Sequence, residues 1–207
     1  MAGSVNIAAE DALSEAVLRR LLAQAQSRPK VAASFPVRKG YQTEIRQNGY
    51  GQIKNVLPAF NAAAKITPFV VLMDADDRAC PGATIVEWLS NQPRHPCLII
   101  RIAVREVEAW LLADSRGLAE FLSVREDQVP ADPESLADPK QTIVDLASGS
   151  RSSSIRGEIG APINSVGKTG PYYNQALSTF VRDFWDHKEA AKASPSLARA
   201  KIALDTL

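Results

Sequence analysis

The chain has 207 residues, which is most simply one domain, or one domain with a helical extension. Its formal net charge of +1 favours no partner by overall charge, so a nucleic-acid site would have to be a local basic patch. The N-terminus has no signal-peptide pattern, no apolar run is long enough to cross a bilayer, and the two cysteines suggest a reducing compartment. We therefore expect a cytoplasmic protein with no membrane association.

The first part of the chain predicts a strand near 5–9 and a helix around 14–22, whose apolar residues recur at helical spacing. Residues 29–54 are rich in proline, glycine and cations, which predicts either a loop that contacts nucleic acid or an ordinary solvated loop. A helix over 52–64 then leads into the next strand. The cations of the loop are Arg38, Lys39, Arg46 and Lys54.

The central feature is Phe69–Met73, five consecutive apolar residues that are typical of a strand buried on both faces. Further along, the pattern predicts a helix over 83–89, a strand over 97–104 and a helix over 105–114. Strands that alternate with amphipathic helices favour an α/β fold with a mostly parallel sheet flanked by helices.

The second part of the chain predicts helices with long irregular segments between them. We expect an α/β core over 1–125, followed over 126–207 by a loop-rich segment and C-terminal helices that pack on the core. Phe180, Phe184 and Trp185 suggest either a contact surface for a partner or part of the internal core. The predicted elements are a helix over 115–124, an acidic proline-rich segment over 126–140, a short helix over 143–146, an irregular segment over 148–171 and helices over 172–207 with a break at 194–196.

Acidic residues follow three of the predicted strands: Glu10, Asp74 with Asp76, and Glu106 with Glu108. The carboxyl ends of adjacent parallel strands meet at one edge of a sheet, so these carboxylates would converge there. Converging carboxylates repel one another unless a divalent cation supplies positive charge, and oxygen ligands suit Mg²⁺ or Mn²⁺. The alternative is that each acid caps the helix that follows it.

Glu106 and Glu108 lie two positions apart on a predicted helix, so only one of them should face such a site. We favour Glu108, because Trp110 next to it should pack inward. Lys140 and Lys168 are candidate phosphate contacts. Gly167-Lys168-Thr169 does not predict a nucleotide P-loop, because Pro162 occupies the position where that loop has its first glycine.

Six pieces of the sequence together resemble a known family over nearly the whole chain. The resemblance is to TOPRIM domains, and in particular to the bacterial group catalogued as domain of unknown function 4276; the Arg101–Asp114 piece is the most specific. One departure is Asp11, where TOPRIM domains usually have a glycine that allows close backbone approach, so Asp11 would alter the geometry around Glu10 or add another acid. The matching pieces are Glu10–Glu15, Gly49–Gly51, Val71–Asp76, Arg101–Asp114, Asp138–Lys140 and Ser194–Leu197.

The resemblance implies a Rossmann-like TOPRIM core akin to OLD-family and RloB-like nucleases. In such enzymes the first-strand glutamate and the Asp-x-Asp pair bind Mg²⁺ or Mn²⁺ and cut phosphodiesters, often beside an ABC- or AAA-type ATPase in defence against phage. Carried over to this chain, Glu10, Asp74 and Asp76 would hold the metal. Glu108 would be a further or second-metal ligand, and Lys140 would neutralise phosphate charge.

We therefore expect a metal-dependent nuclease that acts on DNA or RNA with an ATPase subunit, or as a homodimer. Two alternatives remain open at this point. The chain could be a non-catalytic TOPRIM-like binding subunit of an ATPase complex, or a small-molecule phosphoryl-transfer enzyme that uses the same acids. Fold alone does not choose among the three.

Overall fold

The computed structural model describes residues 3–36, 50–75, 81–89, 92–161 and 169–207. The strands are β1 (Ser4–Ala9), β2 (Lys30–Pro36), β3 (Phe69–Asp74) and β4 (Leu98–Ala103). The helices are α1 (Ala12–Gln24), α2 (Tyr50–Ala63), α3 (Pro81–Trp88), α4 (Val107–Leu112), α5 (Ser115–Leu122), α6 (Pro139–Ser148), α7 (Ser153–Glu158), α8 (Tyr173–Asp183), α9 (His187–Ala193) and α10 (Pro195–Leu204). Short 3-10 turns cover Glu126–Gln128 and Pro133–Ser135.

Contacts divide the chain into two compact units. The first unit runs to Ile102 and also includes Ala200–Leu207, and the second is Ala103–Arg199. The domains expected from the sequence, 1–125 and 126–207, stay a prediction, because units defined by contacts need not fold independently.

The four strands form one parallel sheet in the order β2-β1-β3-β4, flanked by helices. Ala8 of β1 lies between Phe35 of β2 and Val71 of β3. The amide of Phe69 donates to the carbonyl of Cys97 (2.9 Å), next to the start of β4. The predicted α/β fold is thus confirmed, including the parallel neighbours β1, β3 and β4.

The central strand β3 is apolar throughout because both of its faces are covered. Phe69, Val71 and Met73 point to one face and form a buried cluster with residues of α2 and α3 that includes Leu57 and Trp88. Alternation along the strand directs the side chains between them to the opposite face. The helix α1 packs against β1 and β3 through a buried stripe of its own: Leu13, Val17, Leu18, Leu21 and Leu22.

The structure corrects the interpretation of residues 30–36, which the sequence predicts as part of a loop. They form β2, an edge strand that pairs with β1 from Ser4 to Ala9. Phe35 lies on the aromatic pair Phe60 and Phe69, with ring centroids 5.8 and 5.4 Å away. Prolines on either side obscured the strand, although an edge strand tolerates proline at its ends because one row of its amides has no partner in the sheet. Of the rest of the predicted cationic loop, residues 37–49 lie outside the described residues, and residues 50–54 belong to α2.

Helix boundaries in the second unit also differ from those expected. The helix predicted over 105–114 is limited to α4, and Glu106 precedes it in extended conformation (φ −134°, ψ 160°). The helix predicted over 143–146 begins earlier, as α6, because Asp138 caps it and Pro139 suits its first turn. The irregular segment over 148–171 contains α7.

The C-terminal helices break where the sequence predicts, between α9 and α10. Phe180 and Trp185 are buried in the second unit, which confirms their core role, whereas Phe184 is 61% exposed. Within the described part of the chain, no helix combines the length and apolar character needed to cross a membrane.

Ser123 ends α5 in the left-handed region (φ 55°, ψ 44°). Its amide and that of Val124 donate to the carbonyls of Glu120 and Ala119, an arrangement in which glycine is the preferred residue. We expect Ser123→Gly to raise the free energy of unfolding by roughly 0.5–1 kcal/mol, because relief of left-handed strain outweighs the greater unfolded-state entropy of glycine. Urea denaturation measures the change. Ser123→Ala keeps the Cβ atom, so a gain from alanine as large as that from glycine would contradict this explanation.

Candidate active site

Two of the predicted site residues meet at the carboxyl edge of the sheet. Glu10 follows β1 directly, and Asp74 is the last residue of β3, the strand that pairs with β1. The amide of Asp74 donates to Glu10 Oε1 at 3.4 Å, and both residues are half-buried. The pairing of two central strands therefore brings the Glu10 carboxylate to the backbone of Asp74.

Glu10 and Asp74 lie where the strand order of the sheet reverses. From β1 the chain goes through α1 to β2 on one side, whereas from β3 it goes through α3 to β4 on the other side. The direction of winding thus reverses between β1 and β3. In open α/β sheets, ligands bind in the crevice outside the carboxyl ends of the strands at such a reversal. Glu10 and Asp74 are the residues that the sheet places there.

Asp11 acts as the N-cap of α1. Its side chain accepts a hydrogen bond from the amide of Ser14 (2.8 Å), and its backbone is extended (φ −145°, ψ −179°). Any residue can adopt this conformation, so the absence of a glycine after Glu10 imposes no backbone strain. Asp11 at this position therefore has a structural role as a helix cap.

Glu10 and Asp74 offer the donor chemistry that suits Mg²⁺ or Mn²⁺. Magnesium is commonly held by one or two carboxylates, with water and substrate phosphates completing its shell. Among the described residues no group of three or more histidine, cysteine, aspartate or glutamate side chains is arranged to hold a metal ion. Asp76, the third predicted ligand, lies outside the described residues. Glu10 and Asp74 are carboxylates of the ligand type that such a cation takes, and metal binding by them stays a prediction.

In the second unit, Glu108 is a buried carboxylate. It lies in the first turn of α4 and is 4% exposed. The hydroxyl of Tyr173, at the start of α8, donates to Glu108 Oε1 at 3.2 Å. Trp110 is fully buried, as the sequence predicts. The role of Glu108 as a further metal ligand stays a prediction.

Glu106 and Lys140 belong to the same group of contacts as Glu108. Glu106 Oε2 accepts the amide of Lys140 (3.2 Å), in the first turn of α6. The ammonium of Lys140 lies over the ring of Tyr173, 5.0 Å from its centroid. Glu106 thus contacts Lys140, whereas Glu108 contacts Tyr173. Because Glu106 precedes α4 instead of lying on it, the helical spacing that would turn the two side chains in different directions does not apply.

Two other acids, Asp114 and Asp138, have structural roles as helix caps. Asp114 caps α5 by accepting the amide of Gly117 (3.1 Å), and it also accepts the amide of Asp186 (2.8 Å). Burial raises the pKa of Asp114, although the two backbone hydrogen bonds oppose that shift. Asp138 caps α6 through the amide of Gln141 (2.7 Å).

The Ser194–Leu197 piece also has a structural role in the second unit. Ser196 Oγ accepts the indole N–H of Trp110 (2.7 Å), and the amide of Ser196 donates to Glu134 (2.8 Å). The hydroxyl of Ser194 donates to the same carboxylate. This network joins α4 to the start of α10.

Sequence reasoning did not identify Tyr173. Its contact with Glu108 spans 65 positions, and no local pattern reports such a pairing. Tyr173, Ala176, Leu177 and Phe180 do recur at helical spacing and form the buried stripe of α8, which was the available signal that Tyr173 points inward. Lys168, the second candidate phosphate contact, lies outside the described residues.

Comparisons with protein-family models, curated proteins and solved structures give no match to this chain.

The role of Asp11 as a helix cap can be tested by mutation. We expect Asp11→Ala to lower the free energy of unfolding by about 1 kcal/mol, because the amide of Ser14 loses its acceptor, and Asp11→Asn to cost only a few tenths of that. Chemical denaturation of the three proteins measures both effects. If alanine and asparagine were equally tolerated, the side chain would not be acting as a helix cap.

Proposed function

We propose that this chain is a metal-dependent nuclease of TOPRIM type that hydrolyses phosphodiesters. The observation that carries the proposal is the pair of carboxylates, Glu10 and Asp74, at the point between β1 and β3 where the winding of the sheet reverses. The similarity of six sequence pieces to TOPRIM domains supports the same assignment.

Charge explains why the proposed reaction needs a metal. A phosphodiester is an anion, and two carboxylates by themselves would repel it. A bound Mg²⁺ or Mn²⁺ would offset that repulsion, polarise the phosphate and lower the pKa of water. Glu10 and Asp74, with Asp76 as the third predicted ligand, would hold the cation. The amide of Asp74 orients Glu10 by donating to one of its oxygens.

The proposed setting follows from the family resemblance. The substrate would be DNA or RNA, and the chain would act with an ABC- or AAA-type ATPase subunit, or as a homodimer, in defence against phage. Lys140 would neutralise charge on the phosphate. Lys140 is half-buried, its amide donates to Glu106 Oε2, and its ammonium lies over the ring of Tyr173.

The decisive variant is Asp74→Asn, with Asp11→Asn as its matched control. Both remove one negative charge at the same edge of the sheet, but Asp11 is exposed and caps α1. We expect Asp74→Asn to abolish Mn²⁺ binding in calorimetric titration while the metal-free melting temperature stays the same or rises, because repulsion with Glu10 falls. Asp11→Asn should bind Mn²⁺ as the wild type does. Equal affinity in wild type and Asp74→Asn would refute the proposed site.

Assays with different substrates distinguish a nuclease from a small-molecule enzyme and from a binding subunit. With Mn²⁺ present, we expect the protein to cut single- or double-stranded DNA or RNA and to lose this activity on addition of chelator or in Asp74→Asn. Hydrolysis of phosphomonoesters or nucleotides alone would instead indicate a small-molecule enzyme. Metal binding without cleavage, by the chain and by its complex with an ATPase encoded beside it, would indicate a binding subunit.

A further inference from the structure

Three phenylalanine rings of the second unit form a row that leads from its core to its surface. Phe180 is fully buried, and the ring of half-buried Phe121 lies 5.2 Å from it, centroid to centroid. Phe184, which is 61% exposed, lies 5.8 Å from Phe121. Exposed apolar residues that occur singly are ordinary, whereas a connected aromatic patch is typical of an interaction surface.

The backbone that carries Phe184 is fixed on both sides of the residue. The amides of Phe184 and Trp185 both donate to the carbonyl of Phe180 at 2.9 Å, and Trp185 is 1% exposed. The amide of Asp186 donates to the carboxylate of Asp114 at 2.8 Å. The exposed ring therefore projects from a restrained backbone, so a partner that covers it would lose little binding energy to ordering of the chain.

A cavity of about 330 Å³ lies beside this row. Phe121 is part of its lining, and so is Tyr172, which is 55% exposed. Ile155 and Ala176 add further apolar surface to the same cavity. A cavity with these walls can accept an aliphatic or aromatic side chain of a partner.

A second cavity, of about 620 Å³, is lined by Phe184 and by several charged residues; we call it the acidic cavity. Among its described lining residues, each of the two cations is paired with a carboxylate of the same cavity, so Glu126 and Asp186 leave it with excess negative charge. Hydrogen bonds from the amides of Glu189 and Lys188 lower the pKa of Asp186 and keep it ionised at neutral pH. The pairs are Arg116 with Glu120 (3.2 Å) and Lys192 with Glu189 (2.7 Å).

We propose that Phe121, Tyr172, Phe184 and the acidic cavity form a docking surface for another protein, which binds through a segment that combines apolar side chains with lysine or arginine. The apolar side chains cover Phe184 and enter the cavity beside Phe121, while the cations face the acidic cavity. All of these residues belong to the second unit, so the surface is complete within it.

Charge disfavours two other occupants of this surface. In a twofold dimer the same patch meets itself, so a second copy of the chain would bring one acidic cavity against another. Nucleic acid would bring its phosphates to the carboxylates, which repel them. The inference goes beyond the proposed function and does not depend on the proposed metal site.

The test measures the binding of three synthetic peptides of roughly 20 residues, long enough to form a helix with two distinct faces. One peptide combines leucine with lysine, the second leucine with glutamate, and the third serine with lysine. We expect calorimetry in the presence of chelator to give at least about 10-fold tighter binding for the leucine–lysine peptide than for the others, with an affinity that falls as salt rises. Absence of this binding, or equal affinity for the leucine–glutamate peptide, would overturn the proposal.

Substitution of the exposed aromatic residues tests the apolar part of the surface. Phe184→Ala should weaken binding of the leucine–lysine peptide by about 30-fold, as expected for the loss of an aromatic anchor. Tyr172→Ala leaves the contact between Phe121 and Phe184 in place and should also weaken binding, so it serves if Phe184→Ala does not fold. The matched control is Ile202→Ala in the first unit, because Ile202 is 69% exposed. If both aromatic variants bound as tightly as the control, the surface would be wrong.

Neutralisation of single carboxylates tests the charged part. Glu126→Gln should weaken binding of the leucine–lysine peptide by roughly 3-fold and reduce its salt dependence. Asp127→Asn is the matched control, because Asp127 lies in the same 3-10 turn but pairs with Arg125 and does not line the acidic cavity. Equal losses in the two variants would contradict the part assigned to the acidic cavity.

Analytical ultracentrifugation tests the second copy as an occupant. We expect wild type and Phe184→Ala to have the same oligomeric state. A wild-type dimer that Phe184→Ala converts to a monomer would show that copies of the chain cover this surface, and would overturn the proposed partner. Because peptide binding is measured without metal, its outcome is separate from the Mn²⁺ titration of Asp74→Asn, and either proposal can fail while the other holds.

Discussion

The pairing of β1 with two strands at once is the constraint on which the rest of the first unit depends. Hydrogen bonds to β2 on one side and β3 on the other fix the register of β1. They thereby also fix the position of Glu10, the residue that follows the strand. A slip of one residue would move every side chain of the strand to the opposite face. The position of Glu10 beside Asp74 is therefore set by backbone pairing and by the apolar core, and needs no attraction between the two acids.

In the second unit, hydrogen bonds of side chains fix the relative position of two helices. The indole of Trp110, the hydroxyl of Ser196 and the carboxylate of Glu134 form a network that fixes α4 relative to the start of α10. Such a network is specific because each buried group left without its partner would cost more than the bond contributes. Glu108 lies on the same helix as Trp110, so this network also fixes the backbone that carries its carboxylate.

The parts of the structure that were predictable from the sequence are those with a local signature. Phe69–Met73 identifies a strand covered on both faces, and the repeated helices between strands imply a parallel sheet. Strand β2 was missed because its flanking prolines are also typical of loops and because an edge strand does not need a strong apolar pattern. The pairing of Tyr173 with Glu108 is a tertiary contact, which chain periodicity does not encode. Asp11 is a third case. Its residue type is visible in the sequence, but its role as the N-cap of α1 depends on the backbone conformation at that position.

The last eight residues have a consequence for the order in which the protein can form. Ala200–Leu207 belongs to the first unit, where Asp205 accepts the amide of Gln26 (3.0 Å), although 97 residues of the second unit, Ala103–Arg199, come before it. The second unit is thus enclosed in sequence by the first. During synthesis, the contacts that Ala200–Leu207 makes with the first unit cannot form until all of Ala103–Arg199 has been made, so the first unit is completed only after the whole second unit has been synthesised.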